Sequence, residues 1–255
     1  MSKTFHACRV IRWLSGRKTP HTTAILLAGG SGTRMQNDGV TKQMLLLDGT
    51  PVVVHTLRAF ENCPYIHEIV LVARKEELTA MRALCDVFGV KKLRAIVAGG
   101  STRQLSAIAG FEAIDGEKTK FVAIHDVARC LVTPDMIADV VATAYAEKAA
   151  IAACRVYDTV KRAGSGGYIA KTEDREMLWC AQTPQVFASD LYRAAAYTAM
   201  KENFIATDDA MLCERIGQRV KLVDCGRENI KLTTPADIPA AMAILDYRRK
   251  KEEKK

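Results

Sequence analysis

With 255 residues, 49% hydrophobic and 26% charged, the chain can bury a sizeable core as one large domain, and its balance excludes a disordered or fibrous protein. The net charge of +8 suits anionic ligands, but the basic residues are spread along the chain and cluster only near the N-terminus and at Arg248–Lys255, which argues against a nucleic-acid-binding arm. No apolar run approaches the roughly 18 residues that span a bilayer, so no membrane partner is expected, and eight scattered cysteines without a C-x-x-C pair fit a reducing cytoplasm rather than a zinc site or a disulfide framework.

Residues 1–22 carry Arg9, Arg12, Arg17 and Lys18 but no long apolar stretch or small-residue cleavage pattern. They read as an N-terminal extension and not as a secretory signal; organelle targeting stays open, and disorder is expected only at the chain ends. Ala24-Ile-Leu-Leu27 then reads as a parallel strand buried on both faces. Gly29, Gly30 and Gly32 follow it, a glycine-rich turn whose amides can approach a ligand closely, and Arg34 and Lys42 would face phosphates. Such a turn can also serve tight packing alone. It lacks the Gly-Lys-Ser/Thr of a P-loop, and Gly-Thr-Arg takes the place of the Rossmann pattern, whose loop is normally followed by an acidic residue at the end of the next strand.

Helical spacing over Pro51–Phe60, Glu76–Phe88, Ser106–Ile114 and Pro134–Ala149 alternates with strands at Glu68–Ala73, Arg94–Ala98, Lys120–His125 and Ala150–Val156. This order implies an α/β, doubly wound, mostly parallel Rossmann-like sheet with ligands at the carboxyl ends of its strands. The rhythm changes at about 155–178, where two short strands joined by Gly and Ser read as a protruding β-arm. An isolated hairpin is marginal in water, and a second subunit is its natural support. Helices at Asp190–Lys201 and Thr207–Ile216, an edge or final strand at Val220–Asp224 and a closing helix at Pro235–Tyr247 complete one domain over 23–247, followed by a charged tail at 248–255.

Three further segments carry chemistry. His125-Asp126-Val-Ala-Arg129 ends a strand, so Asp126 can hold Mg²⁺ or a substrate hydroxyl, or else cap a helix or pair with Arg129; His125 reads as a core residue. Gly99-Gly100-Ser101-Thr-Arg103-Gln-Leu-Ser106 sets glycines and hydroxyls at a helix start, where amides can read a base or bind an anion, although a plain capped turn would look alike. Lys231, in the apolar Asn229-Ile-Lys-Leu-Thr233, favours a phosphate contact over a snorkelling surface role.

Together with Asp158-Thr-Val-Lys-Arg162, Arg175 before Leu178-Trp179, Gln182-Thr-Pro-Gln-Val-Phe187 and Thr207-Asp-Asp-Ala210, these motifs closely resemble the 2-C-methyl-D-erythritol 4-phosphate cytidylyltransferases, over about residues 23–245. The resemblance implies a nucleotidyltransferase-type fold that condenses CTP with a polyol phosphate, using Mg²⁺ or another divalent cation, and releases pyrophosphate. It implies that Ala28, Gly29, Gly30, Gly32, Gly100, Ser101, Arg103 and Ser106 hold the nucleotide. Arg34 and Lys42 match residues that stabilise the attacked α-phosphate, and Arg175 and Lys231 those that position the substrate phosphate. Asp126, Arg129, Thr159, Thr183 and Thr207 match substrate contacts, with Asp126 also the metal ligand, and the family pattern is a homodimer in which each arm reaches the partner's site. Leu27-Ala-Gly-Gly30 departs from the family's usual Pro-Ala-Ala-Gly and also occurs in ribitol 5-phosphate cytidylyltransferases, which are the alternative, with a non-catalytic nucleotide-binding protein of the same fold beyond them. Asp158-Thr-Val-Lys-Arg162 and the Arg175 segment favour methylerythritol phosphate.

Overall fold

The computed structural model describes residues 19–30 and 41–253. Gly32, Arg34 and most of the N-terminal extension lie outside the described residues. In chain order the elements are β1 (Thr22–Leu27), β2 (Leu46–Leu47), β3 (Thr50–Pro51), α1 (Val52–Asn62), β4 (Glu68–Ala73), α2 (Leu78–Val87), β5 (Leu93–Ala98), α3 (Arg103–Glu112), β6 (Phe121–Asp126), α4 (Pro134–Glu147) and β7 (Ala149–Arg155). There follow β8 (Lys161–Ala163), β9 (Ile169–Thr172), β10 (Trp179–Ala188), α5 (Ser189–Lys201), α6 (Asp209–Arg215), β11 (Lys221–Asp224) and α7 (Asp237–Glu252).

The main sheet has seven strands in the order β11-β7-β10-β6-β1-β4-β5. All pair in parallel except β10, which runs antiparallel between β6 and β7. Every residue of β1 is buried, because helices cover both faces of the sheet and each face needs apolar cover. Period-two alternation divides these residues: Ala24, Leu26, Ile69 and Leu71 join one core with Phe60 of α1, Met81 of α2 and Val141 of α4. Ile25, Val70 and Val72 join a second core with Phe111 of α3, Tyr192 of α5 and Leu212 of α6.

The expected doubly wound, mostly parallel sheet is therefore present, with element ends shifted by a few residues. The strand at 179–188 is one that the sequence pattern did not reveal. Pro184 sits inside it, and proline in a central strand removes a ladder donor and argues against a strand. The structure accommodates Pro184 with a cis Thr183–Pro184 bond and a register shift between Ala181 and Gln185. The arm is a separate two-stranded ribbon of β8 and β9, with all seven strand residues exposed. The closing helix α7 extends into the charged tail as far as Glu252.

Helix α3 is capped by Thr102, whose hydroxyl accepts the Leu105 amide at 3.1 Å, and it approaches the sheet closely at Gly110. A Cβ at that position would stand 2.4 Å from Ile25 Cγ2 and 2.7 Å from Val72 Cγ2. Alanine favours a helix over glycine by about 1 kcal/mol, whereas overpacking a dense core costs about 1–3 kcal/mol. Gly110→Ala is thus expected to lower the urea midpoint, with a net loss on the order of 1 kcal/mol. An unchanged or higher midpoint would show that α3 can move off the sheet without cost.

Candidate active site

The carboxyl ends of β1 and β6 lie side by side, with Leu27 paired to Asp126 and the Val127 amide donating to the Leu27 carbonyl at 3.0 Å. Here the chain leaves the sheet on both strands, opening a cleft of about 380 Å³. It is lined by Leu27, Gly29, Gly30, Lys42 and Gln43, by Gly100–Arg103 and Ser106, and by Asp126, Ala128, Lys231 and Thr233. Ser106 fixes the second glycine turn, accepting the Gly100 amide at 3.1 Å while donating to the Thr102 carbonyl at 2.9 Å. Buried Gln43 donates to the carbonyls of Ala28 and Gly30, tying the Lys42 segment to the first glycine turn. The Lys42-Gln43 pair was visible as a motif, but the bracing role of Gln43 was not.

Asp126 is the cleft's electrostatic centre. Its Oδ1 accepts Arg103 Nε at 2.9 Å and its Oδ2 accepts Lys231 Nζ at 2.6 Å. Burial by itself would raise the carboxyl pKa; the charges of Arg103 and Lys231 outweigh it and hold the group well below the usual carboxylate range. Arg103 is likewise disfavoured by burial but held above its ordinary pKa by Asp209 and Asp126. The alternative pairing of Asp126 with Arg129 is not seen. Arg129 instead donates to the carbonyls of Asn229 at 2.9 Å and Ala181 at 3.3 Å, tying the loop before Lys231 to β10, and it does not line the cleft.

The remaining expected site residues divide. Ala28 is buried and meets Gln43 rather than the cleft. Thr183 is buried, its hydroxyl taken by the Asp126 amide at 3.1 Å and by His125 Nδ1 at 2.9 Å, so it supports the site from beneath. Thr159, Arg175 and Thr207 are exposed and lie off the cleft, with the Arg175 guanidinium donating to the Tyr157 carbonyl at 2.7 Å. The expected substrate contacts Thr159, Thr183 and Thr207, with Arg175, therefore do not line the cleft within one chain. His125 is a core residue, fully buried and packed 5.0 Å from the Phe60 ring.

Among the described residues that line the cleft, Asp126 is the one carboxylate, and no cluster of three metal-ligating side chains occurs. Mg²⁺ commonly takes one or two carboxylates and completes its shell with substrate phosphates and water. That donor set fits an ion held by Asp126 together with a bound triphosphate.

A family model described as IspD: 2-C-methyl-D-erythritol 4-phosphate cytidylyltransferase matches residues 22–247. The chain belongs to this family. It is 42% identical over 235 residues to the 2-C-methyl-D-erythritol 4-phosphate cytidylyltransferase of Syntrophus aciditrophicus, covering 92% of this chain and 98% of that one. The enzyme of the same name from Geobacillus kaustophilus is 43% identical, with 88% and 97% covered. The crystal structure of 4-diphosphocytidyl-2C-methyl-D-erythritol synthase from Anaerococcus prevotii superposes with a TM-score of 0.80 at 30% identity, covering 89% of this chain and 97% of that one. Membership makes the chain a nucleotidyltransferase, and the ribitol phosphate alternative is not favoured.

Burial pushes the pKa of His125 down to about 3, against roughly 6.5 in an unfolded chain. Between these values the unfolded state binds the proton and the folded state does not. Stability is therefore complete above about pH 6.5 and is lost as pH falls towards 3, by about 1.4 kcal/mol per unit. His125→Gln should remove this slope, so its stability deficit relative to wild type shrinks by about 2–3 kcal/mol between pH 6.5 and 4.5 in denaturant titrations. A deficit independent of pH would show that His125 accepts its proton without unfolding.

Proposed function

We propose that the enzyme condenses CTP with 2-C-methyl-D-erythritol 4-phosphate, giving 4-diphosphocytidyl-2-C-methyl-D-erythritol and pyrophosphate as a step towards isoprenoid precursors. The observation that carries this reading is the convergence of Lys42, Arg103, Asp126 and Lys231 on one cleft bounded by two glycine turns. The Gly29–Gly30 turn, with the flanking Gly32 and Arg34, would take the triphosphate, while Gly100, Ser101 and Ser106 present backbone and hydroxyl groups to the nucleoside.

An oxygen of the substrate phosphate attacks the α-phosphorus of CTP. A new P–O bond forms, the bond to the β-phosphate's bridging oxygen breaks, and pyrophosphate leaves with that electron pair. A phosphate monoester is already anionic near neutral pH, so no general base or nucleophilic side chain is needed. The barrier is electrostatic, since two anions must meet. Arg34 and Lys42 offset charge developing on the α-phosphate; Lys231, half-exposed beside Asp126, and Arg175 hold the attacking phosphate. Mg²⁺, held by Asp126 with the CTP phosphates, would supply further charge neutralisation. Asp126 and its bond to Lys231 hold the lysine head at the mouth where the attacking group enters.

We further propose that the enzyme works as a homodimer in the cytoplasm. Within one chain the arm presents exposed Tyr168 and Ile169, and Arg175 at its return lies off the cleft of its own subunit. A partner's cleft is the place where that guanidinium, with Thr159, would meet substrate. The thiols of Cys63, Cys85, Cys130, Cys154, Cys180 and Cys213 favour a reducing compartment. Among the described residues no helix is long and apolar enough to cross a membrane.

Pyrophosphate release, assayed with CTP, UTP, ATP and GTP against methylerythritol 4-phosphate and ribitol 5-phosphate, tests the substrate assignment. CTP with methylerythritol 4-phosphate should exceed every other pair by at least about a hundredfold in kcat/KM, the range open to a site that pairs its substrate's polar groups. Equal or reversed ratios for the two polyol phosphates would overturn it. Subunit mixing tests the dimer. Lys42→Ala and Arg175→Ala homodimers should each lose about a hundredfold in kcat. Mixed dimers of the two should regain activity, because one composite cleft then carries both residues. Fully formed mixed dimers that remain inactive would confine Arg175 to its own subunit or remove it from the reaction.

A further inference from the structure

We infer that Asp209, which the mechanism above does not use, is a positioning residue that orients Arg103 towards the nucleotide and so sets the affinity for CTP. The inference rests on the cytidylyltransferase reading. Asp209 is the first residue of α6, is 1% exposed and lines no part of the cleft. A carboxylate so far from water persists only where charge and hydrogen bonds compensate it. Its Oδ2 accepts Arg103 Nη1 at 2.7 Å, and its Oδ1 accepts the hydroxyl of Tyr192 at 3.0 Å.

The carboxylate is fixed from behind. Tyr192 is fully buried and stacks 5.7 Å from the Phe187 ring, and Gln185 Oε1 accepts the amides of Asp209 and Ala210 at 2.9 and 3.0 Å. Strand β10 and helix α5 thus hold Asp209, while Arg103 starts α3 at the cleft wall. Arginine's donor fork favours two-pronged contact with a single carboxylate. Asp209 takes the Nη1 prong and leaves Nε for Asp126 at 2.9 Å, which fixes the guanidinium plane beside Gly100 and Ser101. It also leaves Asp126 Oδ2 to Lys231. These contacts exist before any substrate reacts, so their loss should weaken ground-state binding rather than slow the chemical step.

The test measures kcat and KM for CTP in the full-length wild type, Asp209→Asn, Tyr192→Phe, Arg103→Ala and the Arg103→Ala/Asp209→Asn double variant, with circular dichroism reporting folding. Asp209→Asn should raise KM for CTP about tenfold and leave kcat within threefold, as expected for loss of uniform binding. Tyr192→Phe, which removes a neutral bond and keeps the charge, should leave KM within twofold. In the Arg103→Ala background, adding Asp209→Asn should change KM by less than twofold, because the group it orients is already gone. This pair also decides the matter if Asp209→Asn alone does not fold, since the double variant removes a buried charge that Arg103→Ala leaves unpaired. An unchanged KM in folded Asp209→Asn, or a tenfold further rise in the double variant, overturns the inference. Absence of wild-type turnover with CTP rejects the functional reading and this inference together; normal wild-type turnover with either overturning result rejects this inference alone.

Discussion

A carboxylate nearly withdrawn from water at the end of β6 has to be paired, and the arrangement of the cleft follows from that need. Asp126 draws Arg103 from the start of α3 and Lys231 from the loop after β11, segments more than a hundred residues apart in the chain. Each cation brings its surroundings with it: Arg103 carries the Gly99–Gly100 turn, and the Lys231 loop is held to the β6 exit by the Leu232 amide donating to the Ala128 carbonyl at 2.8 Å. Ion pairs of this kind add little net stability once desolvation is counted, but breaking one side is costly. Their larger consequence here is that three loops share one fixed geometry before any anion arrives.

The antiparallel strand β10 is the polar underside of that geometry. A sheet buried on both faces is usually apolar, yet Gln182, Thr183 and Gln185 are buried within β10. Gln182 Nε2 donates to the Gly226 carbonyl at 3.1 Å, and Gln182 Oε1 accepts Asn229 Nδ2 at 3.0 Å, which places the loop leading to Lys231. Thr183 supports Asp126 from below, and Gln185 anchors the start of α6. The register shift at Pro184 interrupts backbone pairing where these side chains turn towards the loops, so the strand exchanges ladder bonds for side-chain bonds that position the site.

The electrostatics of the cleft and the exposure of the arm bear on the same chemical problem. Joining a triphosphate to a phosphate monoester requires cations at two places, around the α-phosphate and around the attacking group. Lys42 and Lys231 both line the cleft, whereas Arg175 sits on the arm with apolar side chains exposed beside it. In the proposed dimer one contact would both cover the arm and complete the cation set. Binding, assembly and catalysis would then be coupled by charge rather than by a moving part.

What the sequence determined by itself is the local and repetitive part of the protein. The apolar runs at Ala24–Leu27, Glu68–Ala73 and Lys120–His125 read as strands, the first of them buried on both faces, because no polar alternation marks a wet side. The glycine turns and the ordered motifs marked the carboxyl edge of the sheet and the family, and Lys42, Asp126 and Lys231 could be singled out by residue type and position. Tertiary structure decided which charges meet. It paired Asp126 with Arg103 and Lys231 rather than with nearby Arg129, buried Thr183 beneath the cleft, and brought Asp209 to Arg103 from 106 residues away. It also made 179–188 a central strand despite Pro184. The reason is physical: periodicity records whether a residue faces water, but a buried polar group takes whichever partner the packed elements bring within about 3 Å, and that distance is set by the whole sheet rather than by neighbours in the chain.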